Sequence, residues 1–249
     1  MRIERFDSDC TAANRLAEIV AAQIASRPDS VLGLPAGRTP VPFYRRLVEL
    51  TSGQHLDWSR VRVFTLDEFA GTSGTDRQPY ARFMYEHLYR HVNVSQQLVD
   101  SPDGRAPSIA TEASRYESAI AAAGLDLVVL GIGTNGHIGF NEPGPVVRPR
   151  THLVTLAPSS RAGNAFLFDG DLARVPGEAL TVGIATILSA KRILLIATGQ
   201  SKARAISRLA EGHVTTRLPA SFLHLHNDAT VIVDDAASRR IPRELRAGS

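Results

Sequence analysis

The chain has 249 residues, 43% hydrophobic and 21% charged, with a formal net charge of +3. That length buries a core without staples, the balance is that of a soluble globular protein, and no block of lysines and arginines marks a nucleic-acid surface. The lone cysteine, Cys10, excludes an intramolecular disulfide, the N-terminus lacks a signal-peptide core and no apolar run matches a bilayer, so a cytoplasmic protein that binds neither nucleic acid nor membrane is expected.

Residues 2–6 read as a first strand, and a helix over 12–26 follows, capped by Asp9 or Thr11, with Leu16, Ile19, Val20 and Ile24 on one face. A strand over 31–34 runs into Pro35-Ala36-Gly37-Arg38-Thr39-Pro40 and a helix from 41 to about 50. Strand, glycine loop and helix N-terminus together make an anion site, to which Thr39 adds a hydroxyl. An ordinary turn is the alternative, and the spacing is not that of a Walker loop. A buried-type strand over 61–66 ends at Asp67 and Glu68, where paired acids serve a helix N-terminus or catalysis. Residues 71–74 read as a flexible tip, 77–85 as a candidate lid, 80–89 as a helix and 108–123 as another.

The stretch over 125–144, LDLVVLGIGTNGHIGFNEPG, carries the most chemistry. A short apolar strand breaks into Gly131, Gly133 and Gly136 and delivers Asn135, His137, Asn141 and Glu142 at its carboxyl end, where ligands bind in open α/β sheets. The literal GxGxxG lacks the long helix and the later acid of a dinucleotide site, because Pro143 and Gly144 intervene. Further on, 154–156 reads as a strand, 161–168 as a helix, 180–184 as extended and 193–197 as a strand. Lys202 stands at the start of a helix through 210, against the macrodipole, which suits a bound anion or simply a solvated lysine. A last strand over 230–233 precedes a charged tail over 236–249 that is expected to fray. Alternating strands and helices predict one mostly parallel α/β sheet with helices on both faces, in a single domain over 1–249. His213, His224 and His226 lack metal spacing and read as packing or surface groups.

LGLPAGRTP, FTLDEF, GIGTNGHIGFNEPG, ALTVGIATIL, GQSKA and FLHLH occur in the order found in the glucosamine-6-phosphate deaminases, and the resemblance runs over about residues 30–235. It implies a Rossmann-like fold that binds a sugar phosphate and no nucleotide. Asp67 resembles the base that moves a proton between C2 and C1, His137 the residue that assists ring opening, and Glu142 its partner. Asn135 stands where many members carry Asp, and a neutral amide cannot stabilise an imidazolium, so Glu142 is expected to carry more of that load. The loop Ala36, Gly37, Arg38 and Thr39, with Lys202, resembles the phosphate site. Gly136 is taken as a further substrate-binding position and Tyr80 as a lid tyrosine. The reaction so implied needs no metal and no cofactor, and its partner is a small amino sugar phosphate. The family includes both monomers and hexamers, which leaves a homo-oligomer open.

Two departures stand out. Many members have a phosphate-binding arginine in an Asn-x-Arg-Phe context, whereas Asn164-Ala165-Phe166-Leu167 stands here, so Arg38, or alternatively Arg161, is expected to replace it. The region after Pro143 lacks the polar and basic residues of members activated by N-acetylglucosamine 6-phosphate, and no such activation is expected. Competing readings are a deaminase for galactosamine 6-phosphate or another amino sugar phosphate, a non-catalytic sugar-phosphate sensor, and a lactonase, the last disfavoured by Asn141-Glu142-Pro143.

Overall fold

A computed structural model describes residues 1–72 and 78–242. In chain order it runs β1 (Arg2–Phe6), α1 (Asp9–Ser26), β2 (Val31–Leu34), α2 (Val41–Gln54), β3 (Arg62–Thr65), β4 (Asp67–Phe69), α3 (Pro79–His87), β5 (Val99–Asp100) and α4 (Ile109–Ala123). It continues through β6 (Leu127–Gly131), β7 (His152–Thr155), α5 (Pro158–Asn164), β8 (Glu178–Thr181), α6 (Ile184–Leu188), β9 (Arg192–Ala197), α7 (Ala203–Ala210), β10 (Ala229–Asp234) and α8 (Asp235–Ser238). Seven strands form a sheet in the order β1-β10-β9-β6-β2-β3-β5, and every pairing in it is parallel.

The short apolar strands suit this sheet because both of its faces are covered. Side chains alternate along β6. Leu127 and Val129 join Leu16, Val20, Phe43, Leu47 and Trp58 on one face, while Val128 and Leu130 join Phe64, Tyr116, Leu195 and Val231 on the other. Asp126, the one acid before β6, is held at the strand's foot. Its carboxylate accepts the Val31 amide at 2.9 Å and pairs with Lys191 at 2.8 Å and Arg27 at 3.0 Å.

Several expectations shift by a few residues for identifiable reasons. The first helix begins at Asp9 because Ser8 is its N-cap, in a reciprocal capping box with Thr11. The helix expected over 161–168 starts earlier, with Pro158 in its first turn, and tightens into a 3₁₀ turn over Ala165–Phe168. The extended segment over 180–184 ends at Thr181. Gly183 packs against the Arg150 backbone with no room for a side chain, and the Ile184 and Ala185 amides turn to the Arg148 and Pro149 carbonyls to open α6. Residues 73–74 of the tip, Arg77 of the lid segment and 243–249 of the tail fall outside the described residues, whereas the start of the tail does not fray but enters α8, with Ala237, Ser238 and Ile241 buried.

The sequence pattern does not reveal a second sheet, three antiparallel strands in the order β4-β8-β7. It pairs Asp67 with Thr181 and Glu68 with Leu180, so the two acids sit on a strand and not in the first turn of a helix. Among the described residues no helix is long and apolar enough to cross a membrane.

Candidate active site

After β2 the chain moves outward to β3 and β5, and after β6 it moves the other way to β9 and β10. The loops leaving β2 and β6 therefore diverge, and a cavity of about 330 Å³ opens between them at the carboxyl ends of the strands. Its wall combines Pro35 to Pro40 from the first loop, Gly131 to Thr134 with His137 from the second, and Ser201 and Lys202 after β9. Asp67, Tyr80, Phe140, Ser160 and Asn164 close the remaining sides.

Asp67 and Glu68 alternate along β4 and so do different work. Glu68 is fully buried and accepts the Tyr80 amide at 3.0 Å, the Ala81 amide at 2.9 Å and its neighbour Phe69 at 2.8 Å. It therefore serves a helix N-terminus after all, that of α3, twelve residues further on. Asp67 faces the cavity with 6% of its surface exposed, and no hydrogen-bond donor among the described residues reaches its carboxylate. Burial, and then the Glu68 charge beside it, raise its pKa well above the ordinary carboxylate range, the direction a catalytic base needs. Gly139, in the left-handed region at φ 55°, lies against the strand partner of Asp67, since a side chain there would fall 2.9 Å from Thr181 Oγ1.

Burial pushes Glu68 up to about 7 against the three amide hydrogen bonds and the Arg105 charge, which pull the other way. Between the ordinary carboxylate pKa and about 7 the folded chain holds a proton that the unfolded chain has released. Stability should then fall as pH rises through that window, by about 1.4 kcal/mol per unit for one group, and level off above it. Asp67 acts in the same direction. The melting temperature measured from pH 5 to 7.5 should drop, and Glu68→Gln, which keeps an acceptor for the helix amides, should flatten the slope. An unaltered slope in the variant would assign the titration elsewhere.

His137 is built into a network. Its Nδ1 lies 3.4 Å from Glu142 Oε2 and 3.1 Å from Ser160 Oγ. Asn135 donates its side-chain amide to the same Glu142 oxygen at 2.7 Å and accepts the His137 backbone N–H at 3.2 Å. The second Glu142 oxygen accepts the Ala157 amide at 3.1 Å. Burial opposes ionisation of Glu142, but the hydrogen bond and charge of His137, with Ser160 and Asn135, outweigh it and hold the pKa at about 2. Nδ1 is thus engaged from behind by a carboxylate, which leaves Nε2 for the cavity. Gly133 makes space for the ring, because any side chain at that position would collide with it. Ser160 was not foreseen from the sequence. The only signal was Pro158, whose place in the first helical turn puts Ser160 on the inner face of α5.

The loop after β2 stays open toward the cavity. Tyr44 Oη donates to the Pro35 carbonyl at 2.6 Å, Gly37 adopts φ 128°, and no side chain caps the first amides of α2. Ala36, Gly37, Arg38 and Thr39 all line the wall. The Arg38 guanidinium lies 4.7 Å above the Phe166 ring, which occupies the place of the arginine missing from Asn164-Ala165-Phe166. Lys202 is half-buried with no carboxylate partner among the described residues, and burial pushes its pKa down. Tyr80 stacks on Phe140 with centroids 5.7 Å apart and donates its hydroxyl to Asn164 at 2.7 Å.

Two expected positions are not brought to the cavity. The Arg161 guanidinium is held by the Val175 carbonyl at 2.8 Å and the Leu172 carbonyl at 3.1 Å and does not line the cavity. Gly136 turns at φ 94° against Leu218 and supports the loop without lining the cavity. Asn135 and Glu142 stand behind His137 and are likewise absent from the wall, each in contact with the histidine. His224 and His226 bind the Leu209 and Ala190 carbonyls at 2.8 and 2.7 Å.

Comparison with known proteins places this geometry. The model of the glucosamine-6-phosphate isomerase and 6-phosphogluconolactonase family matches residues 9–232. Glucosamine-6-phosphate deaminase 2 of Bacillus subtilis strain 168 is 44% identical over 240 residues, covering 96% of this chain and 95% of the relative. The glucosamine-6-phosphate deaminase of Thermoanaerobacter sp. strain X514 is 41% identical, covering 93% and 92%. Among solved structures, a monomeric glucosamine-6-phosphate deaminase superposes with a TM-score of 0.92 at 40% identity, over 96% of this chain and 100% of that one. The 6-phosphogluconolactonase of Thermotoga maritima, at 21% identity and a TM-score of 0.71 over 94% and 98%, shares the fold. On the family match over most of its length and relatives more than 40% identical, the chain belongs to the glucosamine-6-phosphate isomerase and 6-phosphogluconolactonase family, among the glucosamine-6-phosphate deaminases.

Proposed function

We propose that this chain converts glucosamine 6-phosphate to fructose 6-phosphate and ammonia by general acid–base catalysis. The observation that carries the reading is the shared cavity: an unbonded buried carboxylate, Asp67, and a histidine backed by a carboxylate, His137, face one space whose wall also holds Arg38 and Lys202. The phosphate rests on the Ala36 to Thr39 loop at the start of α2, with Arg38 and Lys202 supplying charge. His137 carries a proton from the C1 hydroxyl to the ring oxygen, which opens the pyranose, while Glu142 holds the far nitrogen of the imidazole. Asp67 then takes the C2 proton and returns it at C1 through an enolamine. The resulting ketose imine adds water and releases ammonia. Tyr80, carried on α3, covers the site. Action in a reducing cytoplasm is part of the same reading, supported by the single, exposed Cys10.

Ammonia release should require the phosphate, with kcat/KM for unphosphorylated glucosamine lower by about 10³-fold or more. Equal use of both sugars would contradict the reading, and faster turnover of galactosamine 6-phosphate would move it to the C4 epimer. Arg38→Ala should raise KM for glucosamine 6-phosphate about tenfold, the loss of one charge-assisted contact, and leave kcat within about twofold. An unchanged KM would remove Arg38 from the phosphate site.

A further inference from the structure

Beside the catalytic cavity lies a second concavity of about 460 Å³, and the two share Thr134 and Ser159 in their walls. Its other side is built by α7, which presents Arg204 and Arg208 four residues apart on one face, and by the tight turn around the Thr215–Leu218 bridge, which presents Arg217. Asn135 and Pro143 complete the rim, and no acidic side chain lines it. Among the described residues no carboxylate pairs with any of the three guanidinium groups. The one side-chain contact they make is from Arg208 to the Arg217 carbonyl at 3.3 Å.

Some arginines elsewhere in the chain are neutralised, as Arg27, Arg115 and Arg174 are by carboxylates at 2.7 to 3.0 Å. Three guanidinium groups gathered at one concavity and left without acids repel one another, and a bound anion relieves that repulsion. The turn itself is held by neutral bonds, the Thr215 amide to Ser221 Oγ at 2.8 Å and the Gly144 amide to the Thr216 carbonyl at 3.2 Å. Of the three guanidinium groups only that of Arg208 touches the turn, so those of Arg204 and Arg217 are not needed to build it. We propose that this pocket is a second anion site, separate from the catalytic cavity, for a small phosphomonoester or inorganic phosphate. Planar guanidinium forks match phosphate oxygens in pairs, and the volume suits a sugar phosphate. A ligand there sits against Asn135, whose amide donates to Glu142, one side chain away from His137.

Calorimetric titration with inorganic phosphate at fixed ionic strength tests the site. Wild type should bind two phosphates per chain. Arg204→Ala/Arg217→Ala should lose one of them, by at least about tenfold in Kd, with its melting temperature and its turnover of glucosamine 6-phosphate within about twofold of wild type. Arg208 stays in place because it braces the Arg217 carbonyl. Lys202→Ala should weaken the other event and spare this one, so a failure of the catalytic reading remains separate. A single event in wild type that the double variant abolishes would also support the pocket. A single event that the double variant leaves untouched, two events that both survive in it, or no binding at all would overturn the proposal.

Discussion

Asp67→Asn should lower kcat for glucosamine 6-phosphate by about 10³-fold, inside the ~10²–10⁴-fold range of a positioned acid–base group, with KM changed less than about threefold. The asymmetry follows from where the carboxylate sits. It is 6% exposed, on a short strand held between Thr181 and the Gly139 turn, and it makes no hydrogen bond that a substitution would break. Asparagine fills the same space and cannot take a proton. The change also removes a like charge from beside Glu68, so the fold should not weaken. Steady-state kinetics with a melting curve distinguish the outcomes. A kcat within tenfold of wild type would mean that another group abstracts the C2 proton.

Glu142→Gln should lower kcat by about 10²-fold, the lower end of the same range. Its two oxygens accept from opposite sides, Oε1 from the Ala157 amide and Oε2 from Asn135, with His137 Nδ1 at 3.4 Å. A glutamine must turn its NH₂ group toward one of these donors, which leaves two donors facing each other in a mostly buried place. The negative charge that holds Nδ1 is lost as well. Glu142 is ionised across the neutral range, since its pKa is held at about 2, so the wild type gives no sign of its titration there. Because Glu142 does not line the cavity, KM should move less than kcat. Equal changes in both would assign it to substrate binding, and an unchanged kcat would make it only a brace for the loop.

The parts of the fold visible in the sequence were those written in short-range pattern. Apolar runs flanked by glycine mark β2, β6 and β9, and the motif around His137 places the histidine and its carboxylate at a strand's end. The small antiparallel sheet was invisible, because three residues at Asp67–Phe69 and four at Glu178–Thr181 are too short to show a period, and their partnership spans more than a hundred residues. Shorter separations, 23 residues from His137 to Ser160 and 12 from Glu68 to Tyr80, still exceed any local period and hid those two contacts. Arg38 and Arg161 could not be told apart by charge or by position in the sequence. In the fold they separate: the Val175 carbonyl, fourteen residues on, engages Arg161, whereas Arg38 lies over Phe166 in the cavity wall.

The central claim is that one cavity both isomerises and deaminates an amino sugar phosphate. Its most direct test follows ammonia and fructose 6-phosphate together from glucosamine 6-phosphate, in wild type and in Asp67→Asn. Equimolar release of both by the wild type, lost in the variant, is the result predicted. Ammonia without fructose 6-phosphate, unequal yields, or no turnover of either glucosamine 6-phosphate or galactosamine 6-phosphate by the folded protein would contradict it.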